Sequence, residues 1–142
     1  MKALVTSGKK SVAILDVSEP VLVAGEILVA PIYVGLCRTD IEVLNGNLDP
    51  DFTVFPLTLG HEWVGRVVAH GPGVSEPAVG TRIVVSGLIP CKTCFECIAG
   101  ATNRCLTYSE IGFTRPGAAA ELVAVPAFLA HSIADSVSMD TA

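Results

Sequence analysis

The run CKTCFECIAGATNRC occupies residues 91–105 and contains four of the five cysteines of this 142-residue chain. These four are Cys91, Cys94, Cys97 and Cys105, so their spacing is C-x2-C-x2-C-x7-C. Four thiolates so close in sequence can complete a tetrahedral shell around one zinc ion. A closed shell leaves no position for water, and the sequence therefore predicts a structural zinc site.

Two other chemistries use part of the same spacing. Iron–sulfur clusters can be held by C-x2-C-x2-C runs, and redox-active pairs use a single C-x-x-C. A redox pair would leave two of the four cysteines without a role, whereas zinc accepts four sulfur ligands without strain. Zinc is therefore the favoured interpretation, with iron–sulfur ligation as the alternative.

The length and composition indicate one domain with a high content of hydrophobic residues. Hydrophobic residues make up 51% of the chain and charged residues 16%, so we expect some apolar surface to face another domain or a second copy. The net charge of −5 and the lack of a basic stripe make nucleic acid a poor partner. No stretch resembles a membrane span or a signal peptide, and thiolate ligands suit a reducing compartment, so a cytoplasmic location is expected.

Short apolar segments separated by Gly and Pro predict a mainly β fold of the barrel or sandwich type. Trp63 and Phe113 are interpreted as packing residues. No Gly-x-Gly-x-x-Gly follows a strand, so no dinucleotide-binding unit is predicted within the chain. The predicted strands cover 12–17, 26–34, 64–69, 81–85 and 119–125.

One or two short helices are expected beside the strands. Thr39 is predicted to cap the first helix, because Glu42 lies three residues later, and Gly46 is placed to end it. A second helix is predicted to begin near the end of the sequence, with Ser138 as its N-cap.

A second candidate metal cluster combines Cys37, in GLCRTD, with His61 and Glu62, in GHEWVG. Taken singly, each residue has an ordinary structural interpretation. A lone cysteine is usually a small buried side chain, a lone histidine is usually a hydrogen-bonded structural group, and a lone glutamate is usually a surface acid.

These motifs, in this order, resemble the N-terminal catalytic domain of the zinc-containing medium-chain dehydrogenase/reductase family, which includes alcohol, polyol and sugar dehydrogenases. The resemblance covers essentially all of residues 1–142. It implies a GroES-like β-barrel that carries a zinc-binding cysteine lobe over about 88–108. The matching segments are GLCRTD (35–40), GHEWVG (60–65), GTRIVV (80–85), the cysteine run (91–105) and GAAAE (117–121).

The resemblance also implies roles for single residues. Cys37 and His61 correspond to ligands of a catalytic zinc, and Glu62 to an acid that lies beside the metal and binds it in some members. Thr39 corresponds to the hydroxyl that passes on the substrate's proton, and Arg38 to a group near the pyrophosphate of NAD or NADP. A helix cap and a solvated charge remain the alternatives for Thr39 and Arg38. Zinc with three protein ligands keeps one position for an alcohol oxygen, whose carbon gives a hydride to the nicotinamide.

The chain departs from the family pattern in three ways. The family's third zinc ligand and its Rossmann domain have no counterpart here, so we expect a fragment that is inactive alone. Glu42 stands where many alcohol dehydrogenases have a histidine, which resembles the sugar and polyol branch. The expected partners are a small alcohol, polyol or sugar, the missing Rossmann domain and a second copy of the chain. The alternative is a stand-alone GroES-like zinc module with a structural or interaction role.

Overall fold

Three antiparallel sheets and two short helices form the fold in the computed structural model, which describes residues 1–142. None of the helices has the length and apolar character needed to cross a membrane. The strands are β1 (Lys2–Gly8), β2 (Ser11–Asp16), β3 (Glu26–Gly35), β4 (Leu57–Thr58), β5 (Glu62–His70), β6 (Arg82–Val85), β7 (Leu88–Ile89), β8 (Ser109–Glu110), β9 (Val123–Pro126) and β10 (Ala130–Ser132). The helices are α1 (Arg38–Asn45) and α2 (Phe95–Ile98), and three 3₁₀ turns cover Pro50–Phe52, Thr102–Arg104 and Ala127–Leu129.

The largest sheet has five strands in the order β10-β6-β5-β3-β9 and curls into half a barrel, which confirms the predicted fold class. Its long central pair, β3 and β5, shifts register between Leu28 and Val29 and again between Pro31 and Tyr33. Such irregularities bend a strand and increase its twist. The smaller sheets are β2-β1-β4 and the two-stranded ladder β7-β8.

Two hydrophobic clusters hold the sheets together. The larger one lines the inner face of the five-stranded sheet, with Ile27, Val67 and Ile83 almost completely buried. The smaller cluster contains Val43, Leu57, Leu59 and Phe113. It packs α1 against β4 and against the turn that follows β8. Since α1 begins beside Cys37 and Leu59 precedes His61 by two residues, this small cluster determines where those two side chains meet.

Four of the five predicted strands agree with the structure to within two residues. The fifth, predicted over 119–125, is wrong at its start, because β9 begins at Val123. Residues 117–119 instead cross the loop before His61, and the N–H of Ala119 donates to the carbonyl of Leu59 (2.8 Å). Gly117 permits this crossing, because a Cβ there would lie 2.3 Å from the Leu59 oxygen. The N-terminal strand β1 was not predicted.

Helix α1 ends as predicted, at Gly46, whose φ of +70° is the left-handed conformation that glycine adopts readily. The predicted N-cap, Thr39, is wrong. Cys37 caps the helix, because its Sγ accepts from the N–H of Thr39 (3.2 Å) while Asp40 Oδ2 accepts from the N–H of Cys37 (2.9 Å). Sulfur thus takes the role that a hydroxyl usually has, and the helix starts earlier than predicted.

The second predicted helix, starting at Ser138, is also wrong. The segment forms a single turn in which the N–H groups of Thr141 and Ala142 both approach the carbonyl of Ser138, at 3.2 and 3.1 Å. The second helix of the structure is α2, inside the cysteine run.

Candidate metal centres

The cysteine lobe is a loop that leaves and re-enters the ladder of β7 and β8. Cys91 follows β7, Cys94 is the N-cap of α2, Cys97 lies inside α2 and Cys105 follows the turn Thr102–Arg104. Three of the four, Cys94, Cys97 and Cys105, lie in or at the ends of short helical turns. The lobe therefore has little regular structure beyond the elements that carry the thiols.

The four sulfur atoms all lie within 4.8 Å of one another. The separations are 3.9 Å between Cys91 and Cys97 and 4.0 Å between Cys94 and Cys105. All four thiols are free, and these separations are far longer than a disulfide bond of about 2.05 Å. Zinc–sulfur bonds of about 2.3 Å place the sulfurs of a tetrahedral site about 3.8 Å apart, so the spacing fits one zinc ion.

The protonation of the thiols is uneven. Hydrogen bonds from the hydroxyls of Thr107 and Thr93, together with nearby backbone N–H groups, lower the pKa of Cys91 to about 5. Backbone N–H groups, first that of Leu106, also lower the pKa of Cys94. Burial and the neighbouring thiols raise the pKa of Cys97 to about 12. One cysteine is therefore a thiolate at neutral pH without metal, and another must lose its proton when a cation binds.

The second cluster joins two segments that are distant in sequence. Cys37 caps α1, His61 lies just before β5, and Glu62 opens β5, paired with Gly35 at the end of β3. Their ligand atoms lie within 4.8 Å of one another. The Cys37 Sγ and His61 Nε2 atoms are 3.1 Å apart, a hydrogen-bonding distance. The structure therefore brings together the three predicted ligands, and we refer to them as the Cys37–His61 site.

The imidazole of His61 is held from two sides. Asp40 Oδ1 lies 3.4 Å from Nδ1, and both atoms are buried and lack a hydrogen-bond partner. The ring of Phe113 lies against the imidazole, with centroids 4.8 Å apart and an interplanar angle of 44°. Asp40 and Phe113 thus orient Nε2 toward Cys37. Sequence reasoning missed the role of Asp40, although its position three residues after Cys37 is where a capping acid stands.

The loop before His61 needs glycine for steric reasons. Gly60 has a φ of +100°, and a Cβ there would lie 2.7 Å from the nitrogen of Ala119. A Cβ on Gly112 would lie 3.1 Å from Cβ of His61. These close approaches explain why glycine precedes the His-Glu pair and why the turn carrying Phe113 can reach the imidazole.

The other two predicted site residues, Thr39 and Arg38, differ in their exposure and in their hydrogen bonds. Thr39 is half-buried next to Cys37, and its hydroxyl makes no hydrogen bond within the chain. The Arg38 side chain is 86% exposed and donates to Glu42 (2.7 Å). Hydrogen bonds from Asn47 and Arg38 hold the pKa of Glu42 below its usual range. Arg38 therefore lies along the surface of α1 and not among the candidate metal ligands.

The chain matches a family model described as the alcohol dehydrogenase GroES-like domain over residues 23–135. It is 35% identical, over its whole length, to an L-threonine 3-dehydrogenase of Escherichia fergusonii, and 38% identical over 96% of its length to one of Aeromonas hydrophila. It covers 42% and 41% of those relatives, so it spans about two fifths of their length.

Solved structures show the same likeness. Galactitol-1-phosphate dehydrogenase from Escherichia coli superposes with a TM-score of 0.89 at 29% identity, over 99% of this chain and 40% of that one. A structure described as a zinc-binding dehydrogenase, from Sinorhizobium meliloti and bound to NADP, superposes with a TM-score of 0.88 at 33% identity, over 97% of this chain and 40% of that one.

Proposed function

Because the chain belongs to the alcohol dehydrogenase GroES-like domain family and matches the N-terminal domain of zinc-dependent dehydrogenases, we propose that it carries the metal chemistry of an NAD(P)-dependent alcohol, polyol or sugar dehydrogenase. The observation that carries the proposal is the convergence of Cys37 with the adjacent pair His61 and Glu62, from two separate segments, with their ligand atoms within 4.8 Å of one another. In this proposal, residues 1–142 form one domain, and the nucleotide-binding domain lies outside them. The free cysteines suit a reducing compartment such as the cytoplasm.

The two clusters have different roles in this proposal. The four cysteines of the lobe form a closed structural zinc site, because they supply all four ligands and leave no position for substrate. Cys37 and His61 bind the catalytic zinc, and Glu62 either binds it or lies beside it. Sulfur and imidazole nitrogen are the ligand types that zinc prefers, so the residues fit this metal.

Two residues of the chain orient the imidazole of His61 for metal binding. Asp40 faces Nδ1, which places the imidazole proton on that nitrogen and leaves Nε2 free to bind a metal. Phe113 limits rotation of the ring from the other side. The Cys37–His61 separation of 3.1 Å is shorter than the roughly 3.5 Å that a shared tetrahedral zinc would set, so the two side chains need only a small movement apart.

When bound there, zinc supplies a Lewis acid that makes an alcohol hydroxyl easier to deprotonate, while NAD or NADP takes up the hydride. Thr39 receives the substrate's proton in this proposal, because its hydroxyl has no partner within the chain and its backbone is bonded to Cys37. Arg38 contacts the cofactor's pyrophosphate after its side chain leaves Glu42. The substrate enters beside Glu62, the exposed member of the cluster.

The test is a histidine substitution in the full gene product that contains this chain. We expect His61→Ala to lower kcat at least about a thousandfold with an unchanged circular dichroism spectrum, because it removes a ligand of the proposed catalytic metal. His131→Ala is the matched control, since His131 is exposed on β10. Turnover retained in His61→Ala would remove this residue from the mechanism.

A second candidate function is a zinc-stabilised interaction module without activity of its own. It is favoured by three large apolar side chains on the cysteine lobe, Phe95, Ile98 and Leu106, each at least 75% exposed. A homo-oligomer would be the simplest such assembly. Light scattering on the wild-type chain and on Phe95→Ser tests it, because a lobe-mediated oligomer should dissociate in the variant.

A further inference from the structure

Strand β2 is a free edge of the small sheet β2-β1-β4. All of its residues are exposed, and three of them are large apolar side chains: Val12, Ile14 and Leu15. Natural edge strands are usually protected from further pairing by proline or by charged side chains, above all lysine. The sequence of β2, SVAILD, contains neither proline nor lysine, and its only charged residue, Asp16, stands at its end. The edge of β2 is therefore open to another strand.

The backbone of β2 presents unpaired groups along this edge. The Met1 amino group donates to the Val17 carbonyl and the Val17 N–H donates to the Met1 carbonyl, both at 2.9 Å. Such mutually bonded pairs recur at every second residue of an antiparallel ladder, so positions 13 and 15 also bond to β1. The N–H and C=O groups of Val12, Ile14 and Asp16 point the other way, toward the free edge.

Two copies of β2 are complementary to each other. Identical strands related by a two-fold axis pair antiparallel. With that axis at Ala13, Val12 of each copy stands opposite Ile14 of the other, and the outward-pointing backbone groups of both residues meet and bond. Both side chains are β-branched, a type of cross-strand pair that stabilises sheets. The same arrangement brings Lys10, in the turn before β2, next to Asp16 of the second copy, so opposite charges meet at both ends of the joined strands.

Other registers of the same two strands fit less well. Moving the axis to Ile14 would place Val12 opposite Asp16 on both sides, an apolar side chain against a carboxylate. An intermediate register would set the outward-pointing backbone groups of one strand against groups of the other that already bond to β1, because the strand pattern has a period of two. The charges and the apolar side chains therefore favour the axis at Ala13.

We propose that the free edge of β2 binds a second copy of this chain through an antiparallel β2–β2 pair with its two-fold axis at Ala13. The pair joins the small sheets of the two copies into one continuous sheet and partly covers the apolar side chains of β2. The inference is independent of the proposed function, because β2 carries none of the candidate metal ligands. A single strand pair is a small contact, so we expect the dimer to dissociate on dilution.

Ala13→Cys in the full gene product tests the register. Across the axis the two Ala13 residues form a non-hydrogen-bonded pair, and the Cα separation of about 4.5 Å in such pairs suits a disulfide bond. We expect oxidised glutathione to produce a covalent dimer, with a bridge between the two introduced thiols that peptide mass spectrometry identifies. Leu15→Cys is the matched control. Position 15 stands opposite Ser11, about 13 Å along the strand from its own copy, so no bridge should form there.

Ile14→Lys tests the association itself. A lysine in the centre of an edge strand opposes pairing, so we expect the dimer dissociation constant from sedimentation to rise at least about tenfold. Hydrogen exchange at the amides of positions 12 and 14 should be slow in the wild-type dimer and fast in the variant. Val21→Lys is the control, because it makes the same change of charge at an exposed position outside β2. Exchange at these two amides reports on this edge even where the gene product associates through other surfaces.

Two results would overturn the inference. Fast exchange at positions 12 and 14 in the wild-type protein at every concentration would mean that the edge stays open. Slow exchange there, without a bridge at position 13 in Ala13→Cys, would mean that another segment of the gene product or another register covers β2. Neither result bears on the metal sites, so the proposed function is tested separately.

Discussion

The cysteine lobe and the Cys37–His61 site bring candidate metal ligands together in opposite ways. The lobe takes all four sulfurs from one run of chain, with Cys91 and Cys105 only 14 residues apart, and surrounds them with short helical turns. The Cys37–His61 site takes its members from positions 24 residues apart and depends on Asp40 and Phe113 to align them. A local cluster can be closed by the chain that carries it, whereas a cluster built from distant segments depends on the packing of the whole domain.

Removing a ligand from the lobe is the strongest way to test this contrast. We expect Cys94→Ser to abolish zinc retention and to unfold the lobe, because structural zinc sites contribute on the order of 10 kcal/mol to small folds. Zinc content by mass spectrometry and hydrogen exchange over residues 91–105 would measure the effect. Cys37→Ser is the matched control and should leave the lobe folded. A lobe that stays protected in Cys94→Ser would contradict a structural role.

Phe113→Ala tests the packing that supports the other site. The substitution removes a 7% exposed ring from the small cluster around Val43, and losses of about 3 kcal/mol are typical for such changes. We expect a lower unfolding free energy in urea and weaker cobalt binding at the Cys37–His61 site, with normal zinc in the lobe. Phe113→Leu should recover most of the stability. If cobalt binding is unchanged in the alanine variant, the ring does not align His61.

Asp40→Asn probes the same alignment through the polar contact between Asp40 and Nδ1 of His61. An amide can present its N–H to Nδ1 and so favour the wrong tautomer, and loss of such a supporting carboxylate typically weakens metal binding 10–100-fold. Cobalt titration followed in the visible spectrum measures this change. Asp51→Asn, on the exposed turn Pro50–Phe52, serves as the control. Equal affinities in both variants would show that Asp40 does not support His61.

The pH dependence of zinc binding to the lobe tests the uneven protonation of its four thiols. With a pKa of about 12, Cys97 is protonated at pH 7 and releases its proton when zinc binds, so affinity falls about tenfold per unit of pH decrease for that proton. Cys91 has a pKa of about 5, so it adds a further proton to the slope only below that pH. Competition with a chromophoric chelator between pH 4 and 8 measures the slope. A constant slope through pH 5 would be inconsistent with a depressed Cys91 pKa.

The turns and strands show where prediction from sequence reaches its limit. The end of α1 at Gly46 was predictable, because a left-handed C-cap depends on one residue's own conformation. Its start was not, because Thr39 and Cys37 both offer an acceptor and only the packed structure selects between them. The late start of β9 has the same origin: GAAAELVAV reads as a strand, but residues 117–119 bond across the loop before His61.

The sequence by itself determined the family, the β architecture and the cysteine lobe. Each of them follows from residue spacings of a few positions or from motifs in a fixed order. Only the tertiary structure decided that Cys37 caps α1 while its sulfur meets His61, and that Asp40 and Phe113 hold the imidazole. The physical reason is the separation along the chain of the residues that are in contact. Spacing along the chain dictates contacts within a turn or a loop, whereas contacts between distant segments arise when the hydrophobic clusters and sheets bury their surfaces together.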